Sequence, residues 1–335
     1  EAVDLTLQQQ DPPGALRAVL VVAYGEPVYE RYVESDSEDY WDVRSVTKGV
    51  ICTLVGIAID RGLIRDVRAT LGELLPRWAD HLTPETSAIP LSAVLTHTAN
   101  FITDSRESAV VWTAPDPIAA ILADRATRGA GDGDFRYSDA GSHVLAAVVA
   151  EASGMPVLEF ALENLFDRLG IVSRPAFEPI VLPLPPEEEE ALLHAYDDAD
   201  FAWPQDQQAV HYGHAFLRLR APDLARLGQL YLDRGRWDGE QLVSETWIAS
   251  ATTALVTTAH RAPIGHYGYQ WWVADREGYF CALGNGGTAI FVDPEHEVVA
   301  VVASQIDANQ EPGGKQTHDA YALGKAILKK FGTND

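Results

Sequence analysis

Cysteine is almost missing from this chain: Cys52 and Cys281 are the two thiols among 335 residues. Two thiols allow one bridge at most and no disulfide framework, so an apolar core has to hold the fold. Both fall in apolar stretches, where a buried free thiol is the expected state. No closely spaced Cys/His pairing of zinc type occurs. His211 and His214 lie three apart but lack carboxylate partners at matching spacing, so neither metal nor cofactor is expected. Positive charge is also scarce, with 25 Lys and Arg against 49 Asp and Glu and a formal net charge of -24. That balance argues against nucleic acid and anionic membrane surfaces, which select a basic face. No apolar run is long enough to span a bilayer, so membrane insertion is not expected. The opening "EAVDLTLQQQ" has neither the basic start nor the apolar run of a signal peptide. Cytoplasmic and secreted settings both stay open, as does the oligomeric state.

What the chain does hold is 47% hydrophobic residues, enough for one large or two closely packed domains. Residues 16–33, "LRAVLVVAYGEPVYERYV", predict a β-hairpin turning at Gly25-Glu26-Pro27. From about 68 to 200 the pattern is helical and loop-rich. It includes a helix with Asp116 as N-cap and Pro117 at its first position, and two more closed by Gly154 and Gly170. "PIVLPLPPEEEE" reads as a Pro-rich, then acidic, surface connection. A helix follows near 221, strands follow 266, and a last helix covers about Lys315 to Phe331. The expected fold is therefore α/β plus all-α: an antiparallel sheet built from both ends of the chain, flanked by helices, with an inserted helical domain. Residues 1–67 and 210–335 are assigned to the sheet domain and 68–209 to the insertion.

One helix pattern carries an oddity. In "WDVRSVTKGVICTLVGIAIDRG", residues 41–62, apolar positions Ile51, Leu54, Val55, Ala58 and Ile59 cover most of the circumference, which marks a core helix. Yet it begins with Ser45 and places Lys48 three residues later. Positions i and i+3 share a face, so Oγ and Nζ can meet. Burial disfavours the charged form of a lysine, leaving a neutral amine able to take a serine proton. On its own Ser-x-x-Lys is common, and a capping serine with a surface lysine accounts for most instances.

Two later stretches change the balance. "FRYSDAGSH" puts Tyr137 and Asp139 at the mouth of a helix, and "ALGNGGTAIFVD" puts Asn285-Gly286-Gly287 at the opening of a strand. Ser-x-x-Lys, a second motif and a Lys-Thr-Gly element occur in this order in serine β-lactamases and penicillin-binding proteins. The chain resembles the class C β-lactamase and D,D-peptidase-related serine hydrolases. It is most similar to their esterase and 6-aminohexanoate-oligomer hydrolase branch. "LSAVLTHTANF", "APDLARLGQLYLDRGRWDGEQLVSETWI" and "YGYQWWV" carry the likeness from about residue 16 to the end.

The resemblance implies a β-lactamase/transpeptidase-like fold and a set of roles. Ser45 would be the acyl-accepting nucleophile, Lys48 its proton acceptor, and Tyr137 a second proton relay whose pKa the lysine lowers. Backbone N–H groups of Ser45 and Thr288 would form the oxyanion hole, with Asp139, Asn285, Gly286 and Gly287 contacting substrate. Two departures matter: Asp139 stands where the family has asparagine, and Asn285 where it has a cation or imidazole. Unit charges about 4 Å apart interact by roughly 4 kcal/mol at an effective dielectric near 20, so an unpaired Asp139 would repel a carboxylate substrate. Alternatively Lys48 neutralises it, and then the effect falls on lysine basicity. Either way efficient β-lactam hydrolysis is disfavoured. The expectation is a serine hydrolase working through an acyl-enzyme on small esters or amides. A β-lactamase or D,D-peptidase is the rival enzyme, and a catalytically idle binding or regulatory homologue the rival of another class. Intact Ser45, Lys48 and Tyr137 argue against the last. Trp271 and Trp272 are expected in strand and core, His97 in a loop bonding to backbone, and substrate-specific contacts in the loop 197–216.

Overall fold

A long sheet organises the molecule. The computed structural model describes residues 16–103, 114–128, 133–171, 181–182, 196, 199–258, 264–305 and 314–332. The opening ten residues and nearly all of "PIVLPLPPEEEE" lie outside them. Strands β1 (Leu16–Ala23) and β2 (Glu26–Tyr32) come from the start of the chain. Strands β3 (Val256–Thr257), β4 (His266–Tyr267), β5 (Trp272–Ala274), β6 (Tyr279–Leu283), β7 (Ala289–Asp293) and β8 (Val298–Ser304) come from its last third. They form one antiparallel sheet in the order β2-β1-β8-β7-β6-β5-β4-β3. The two parts of the chain join where β1 pairs with β8, Val19 opposite Val302.

Period-2 alternation sends successive side chains of a strand to opposite faces, and here both faces are covered. Leu20 of β1 with Val299 and Val301 of β8 packs into the larger core. Val19 and Val21 with Val298 and Val302 pack into a second one, under the last helix. Double coverage explains why β8 reads as an unbroken apolar run. Each such fully buried aliphatic side chain contributes about 1.5–3 kcal/mol.

The helices used below are α1 (Thr47–Asp60), α2 (Leu91–Leu95), α3 (Pro117–Thr127), α4 (Asp139–Ser153), α5 (Ala221–Leu232) and α6 (Lys315–Gly332), with shorter ones such as Val157–Ala161 and Glu245–Ala251 between them. Helix α1 is buried from Thr47 through Ala58, as its all-round apolar pattern predicts. It lies against α4, and Gly49 lets Trp271 approach: a Cβ there would stand 3.1 Å from the indole. Helix α5 packs on β7 and β8, where a Cβ at Gly228 would meet Val299 at 2.5 Å. No single helix among the described residues is long and apolar enough to cross a membrane.

One turn departs from expectation. The β1–β2 hairpin reverses at Tyr24-Gly25, both with positive φ (53° and 78°), and Glu26 and Pro27 already belong to β2. A two-residue turn with positive φ at both positions matches the twist of its strands. Proline, lacking an N–H, is tolerated because β2 is an edge strand.

Candidate active site

The site starts at a short strand, Tyr40–Asp42, paired antiparallel with Arg218–Arg220. From it the chain bends through Arg44 at φ +48°, a conformation costing a non-glycine residue about 1–2 kcal/mol. The bend is held because Arg44 N–H donates to Asp42 Oδ1 at 2.8 Å. Ser45 follows in the 3-10 turn Arg44–Val46, which runs directly into α1. One turn on, Lys48 is 1% exposed. Its Nζ donates to Ser45 Oγ at 2.9 Å, to Asp139 Oδ1 at 2.6 Å and to the His214 carbonyl at 3.0 Å.

Tyr137 comes from the segment leading into α4. Ser138 caps that helix: its Oγ accepts from Gly141 N–H at 3.0 Å and donates to the Ile102 carbonyl at 2.7 Å. His97 anchors the same segment from the other side, with its carbonyl accepting from Arg136 N–H at 2.8 Å and its Nδ1 from Ser138 N–H at 3.3 Å. The Tyr137 ring stacks on Trp272 (centroids 5.5 Å apart, planes at 15°). Lys48 Nζ stands 4.8 Å from the centroid of the same ring, which brings the Tyr137 hydroxyl beside Ser45 and Lys48. Ser45, Tyr137 and Asp139 are half-buried, and Lys48 sits beneath them. A surface hollow of about 770 Å³, lined by Gly25, Arg234 and Trp237, contains none of these residues.

The electrostatics correct two expectations. Burial is the largest single effect on Lys48 and works to lower its pKa, but Asp139 and Tyr137 together outweigh it and the pKa is raised. Burial likewise works to raise that of Asp139, yet the Lys48 ammonium prevails and brings it down to about 2. For Tyr137, burial with help from Asp139 exceeds the lowering effect of Lys48, so the phenol pKa is raised, not depressed. The resting site thus holds an ammonium, a carboxylate and a neutral phenol. Asp139 is paired with Lys48, which decides between the two possibilities the sequence left open. Burial pushes His97 and the ring of His214 down to about 3, so both are neutral at ordinary pH.

The third motif sits differently from the other two. Asn285-Gly286-Gly287 lies on the turn joining β6 to β7, before the strand itself. Gly284 N–H donates to the Thr288 carbonyl at 2.7 Å, and Gly286 and Gly287 have φ of +92° and +96°. Gly286 N–H and Asn285 Oδ1 both bond Thr317 Oγ1 of α6 (3.1 and 3.4 Å). A Cβ at Gly287 would lie 3.0 Å from the Gln316 carbonyl. The glycines therefore answer first to turn geometry and to the approach of α6. Thr288 is buried, and its hydroxyl bonds Ser304. The turn adjoins the serine through Gly284, whose missing Cβ would stand 2.5 Å from the Val43 carbonyl. Two participants were not foreseen. The His214 carbonyl has no side-chain signature, and Trp272 reads in sequence as an ordinary strand residue. Trp271, next to it, is fully buried in the core as expected.

A sheet covered on both faces, with a serine and a lysine on the first turns of a buried helix, defines the β-lactamase/transpeptidase-like class of serine hydrolase. Residues 3–324 match the Beta-lactamase family model, and the chain belongs to that family. It is 25% identical over 327 residues to a 6-aminohexanoate-dimer hydrolase of Paenarthrobacter ureafaciens, spanning 89% of this chain and 74% of that protein. Its fold is similar to a penicillin-binding protein homolog from Caulobacter crescentus (TM-score 0.71, 19% identity, 98% of this chain and 96% of the other). It is also similar to EstCE1, a hydrolase with promiscuous acyltransferase activity (TM-score 0.68, 17% identity, 97% of each chain).

Proposed function

We propose that the protein hydrolyses small esters or amides through an acyl-enzyme on Ser45, with Lys48 and Tyr137 moving the protons. The observation that carries this reading is the buried Lys48 Nζ, 2.9 Å from Ser45 Oγ and 4.8 Å from the centroid of the Tyr137 ring. Ser45 Oγ attacks the substrate carbonyl as its proton passes to the neutral amine of Lys48. The resulting ammonium hands a proton through the Tyr137 hydroxyl to the leaving oxygen or nitrogen, which restores both groups. In the second half Lys48 takes a proton from water as it attacks the acyl carbon, then returns that proton to Ser45 Oγ as the C–Oγ bond breaks and the acid leaves. The raised Tyr137 pKa suits a proton donor, so base and acid roles are divided by environment. Backbone N–H groups of Ser45 and Thr288 serve as the oxyanion hole in this scheme. The helix start at Ser45 favours developing negative charge there.

The Lys48–Asp139 pair is neutral overall, and the third motif carries Asn285 in place of a cation. Substrates with neutral or cationic groups around the scissile bond suit that charge balance. The named activity of the Paenarthrobacter relative supports an amide as one natural class, while an ester has the better leaving group and offers the readier assay. Intact-mass analysis after exposure to a fluorophosphonate tests the reading. One adduct mapped to Ser45 and lost in Ser45→Ala supports it; an unmodified protein beside a reacting control hydrolase rejects it.

A further inference from the structure

Lys48 faces two kinds of partner. Asp139 Oδ1 and the His214 carbonyl can only accept, whereas the hydroxyls of Ser45 and Tyr137 can also donate. A neutral amine has two N–H bonds and one lone pair. With both N–H bonds taken by the two pure acceptors, the lone pair is left facing the hydroxyls. The His214 carbonyl therefore helps aim the base, and what holds that carbonyl in place matters.

A buried pair behind the site holds it. His143 and Asp206 are both fully buried, and Nε2 lies 3.1 Å from Asp206 Oδ2. The other carboxylate oxygen accepts from Gln208 N–H (2.8 Å) and Val210 N–H (2.9 Å), pinning the loop that leads to His214. His143 Nδ1 accepts from Gly213 N–H at 3.4 Å, one residue before the carbonyl in question. Because Nδ1 accepts from Gly213 N–H, Nε2 carries a proton and donates to Asp206. Two further contacts tighten the dock. Tyr212 stacks on the His143 ring at 4.9 Å, and Gly213 presses so close to α4 that a Cβ would stand 2.3 Å from the Ser142 carbonyl. His143 lies one turn after Asp139 on α4, so a single helix supplies one acceptor of Lys48 and anchors the other.

We infer that His143 and Asp206 are positioning residues for the proposed acylation, fixing the Gly213–His214 backbone so that Lys48 aims its lone pair at Ser45. The inference rests on the function proposed above. Asp206→Asn keeps the volume but sets an amide N–H against His143 Nε2–H. The histidine must then lose that bond or switch tautomer and lose Gly213, unless the amide flips and sets its N–H bonds against Gln208 and Val210 N–H, so one anchor is lost in every case. His143→Leu removes both bonds, and His143→Gln keeps one donor and one acceptor.

The test measures p-nitrophenyl ester turnover and fluorophosphonate labelling per folded molecule across pH, with melting temperatures alongside. Asp206→Asn and His143→Leu should each lose about tenfold to a hundredfold in kcat with KM little changed, and the double variant should be no slower than the slower single. Losing an acceptor disfavours the ammonium, so the rising limb of the pH profile should move to lower pH. Of the titratable groups facing Lys48, Asp139, Tyr137 and His97 are not substituted, and the His214 ring, which moves with its backbone, is neutral at ordinary pH. His143→Gln should lie nearer wild type than His143→Leu. Wild-type kcat and pH limb in both disrupting variants overturn the inference, as does a lower melting temperature with an unchanged rate per labelled serine. Lys48→Ala separates the two levels. If it is inactive while Asp206→Asn is unimpaired, the positioning pair alone fails; if it acylates normally, the proposed function fails and the inference goes with it.

Discussion

Lys48 Nζ and Asp139 Oδ1 stand 2.6 Å apart, the ammonium buried and the carboxylate 40% exposed, bridging 91 positions of sequence. This contact sets the resting charge state of the site. Acylation uses the neutral amine, so its rate should rise with pH toward the raised pKa of Lys48. Asp139→Asn removes the larger of the two raising effects and leaves burial, which lowers the pKa. The rising limb of kcat/KM against pH should shift to lower pH in this variant; an unmoved limb would show that Asp139 does not govern the base.

The same pair links stability to pH. Asp139 titrates near 2 in the folded protein and near 4 when unfolded, so its contribution is present above about pH 4 and lost as pH falls toward 2. Lys48, with its pKa raised, contributes fully below about pH 10.4 and loses that contribution as pH climbs through the folded value. Denaturant midpoints measured from pH 5 down to pH 2 should fall less steeply for Asp139→Asn than for wild type.

Tyr137→Phe keeps the stack on Trp272 and deletes the proton donor. The loss should be about 10²–10⁴-fold for an amide or alkyl ester, whose leaving atom needs a proton. It should be much smaller for a p-nitrophenyl ester, whose leaving group departs as an anion. Equal losses for both substrates would take the hydroxyl out of leaving-group protonation.

Gly228→Ala places a methyl 2.5 Å from Val299 and 2.9 Å from Ile290, where α5 meets the sheet. Overpacking of this kind costs about 1–3 kcal/mol. A lower melting temperature with unchanged kcat well below it is the expected result, measured by thermal denaturation beside an ester assay.

Much of this was legible in the chain. Asp116 before Pro117 predicts the start of α3, and its carboxylate does accept Ala119 N–H at 2.9 Å. The three-residue spacing of Ser45 and Lys48 predicts their contact, because helix geometry alone fixes it. His97 was expected to bond backbone, and it receives Ser138 N–H. Protonation states were not legible. Whether burial or a carboxylate wins at Lys48 depends on a distance between residues remote in sequence. Nor could the His214 carbonyl be foreseen, since every residue has one and only the fold aims it. The motif at Asn285 reads as the opening of a strand, and its two successive glycines with positive φ build the turn that leads into β7.

The most direct test is the rate at which a fluorophosphonate labels Ser45 in Lys48→Ala, followed by intact mass at neutral pH. A drop of at least about 10²-fold from wild type, with the melting curve preserved, is the predicted result. Labelling at the wild-type rate would contradict the account.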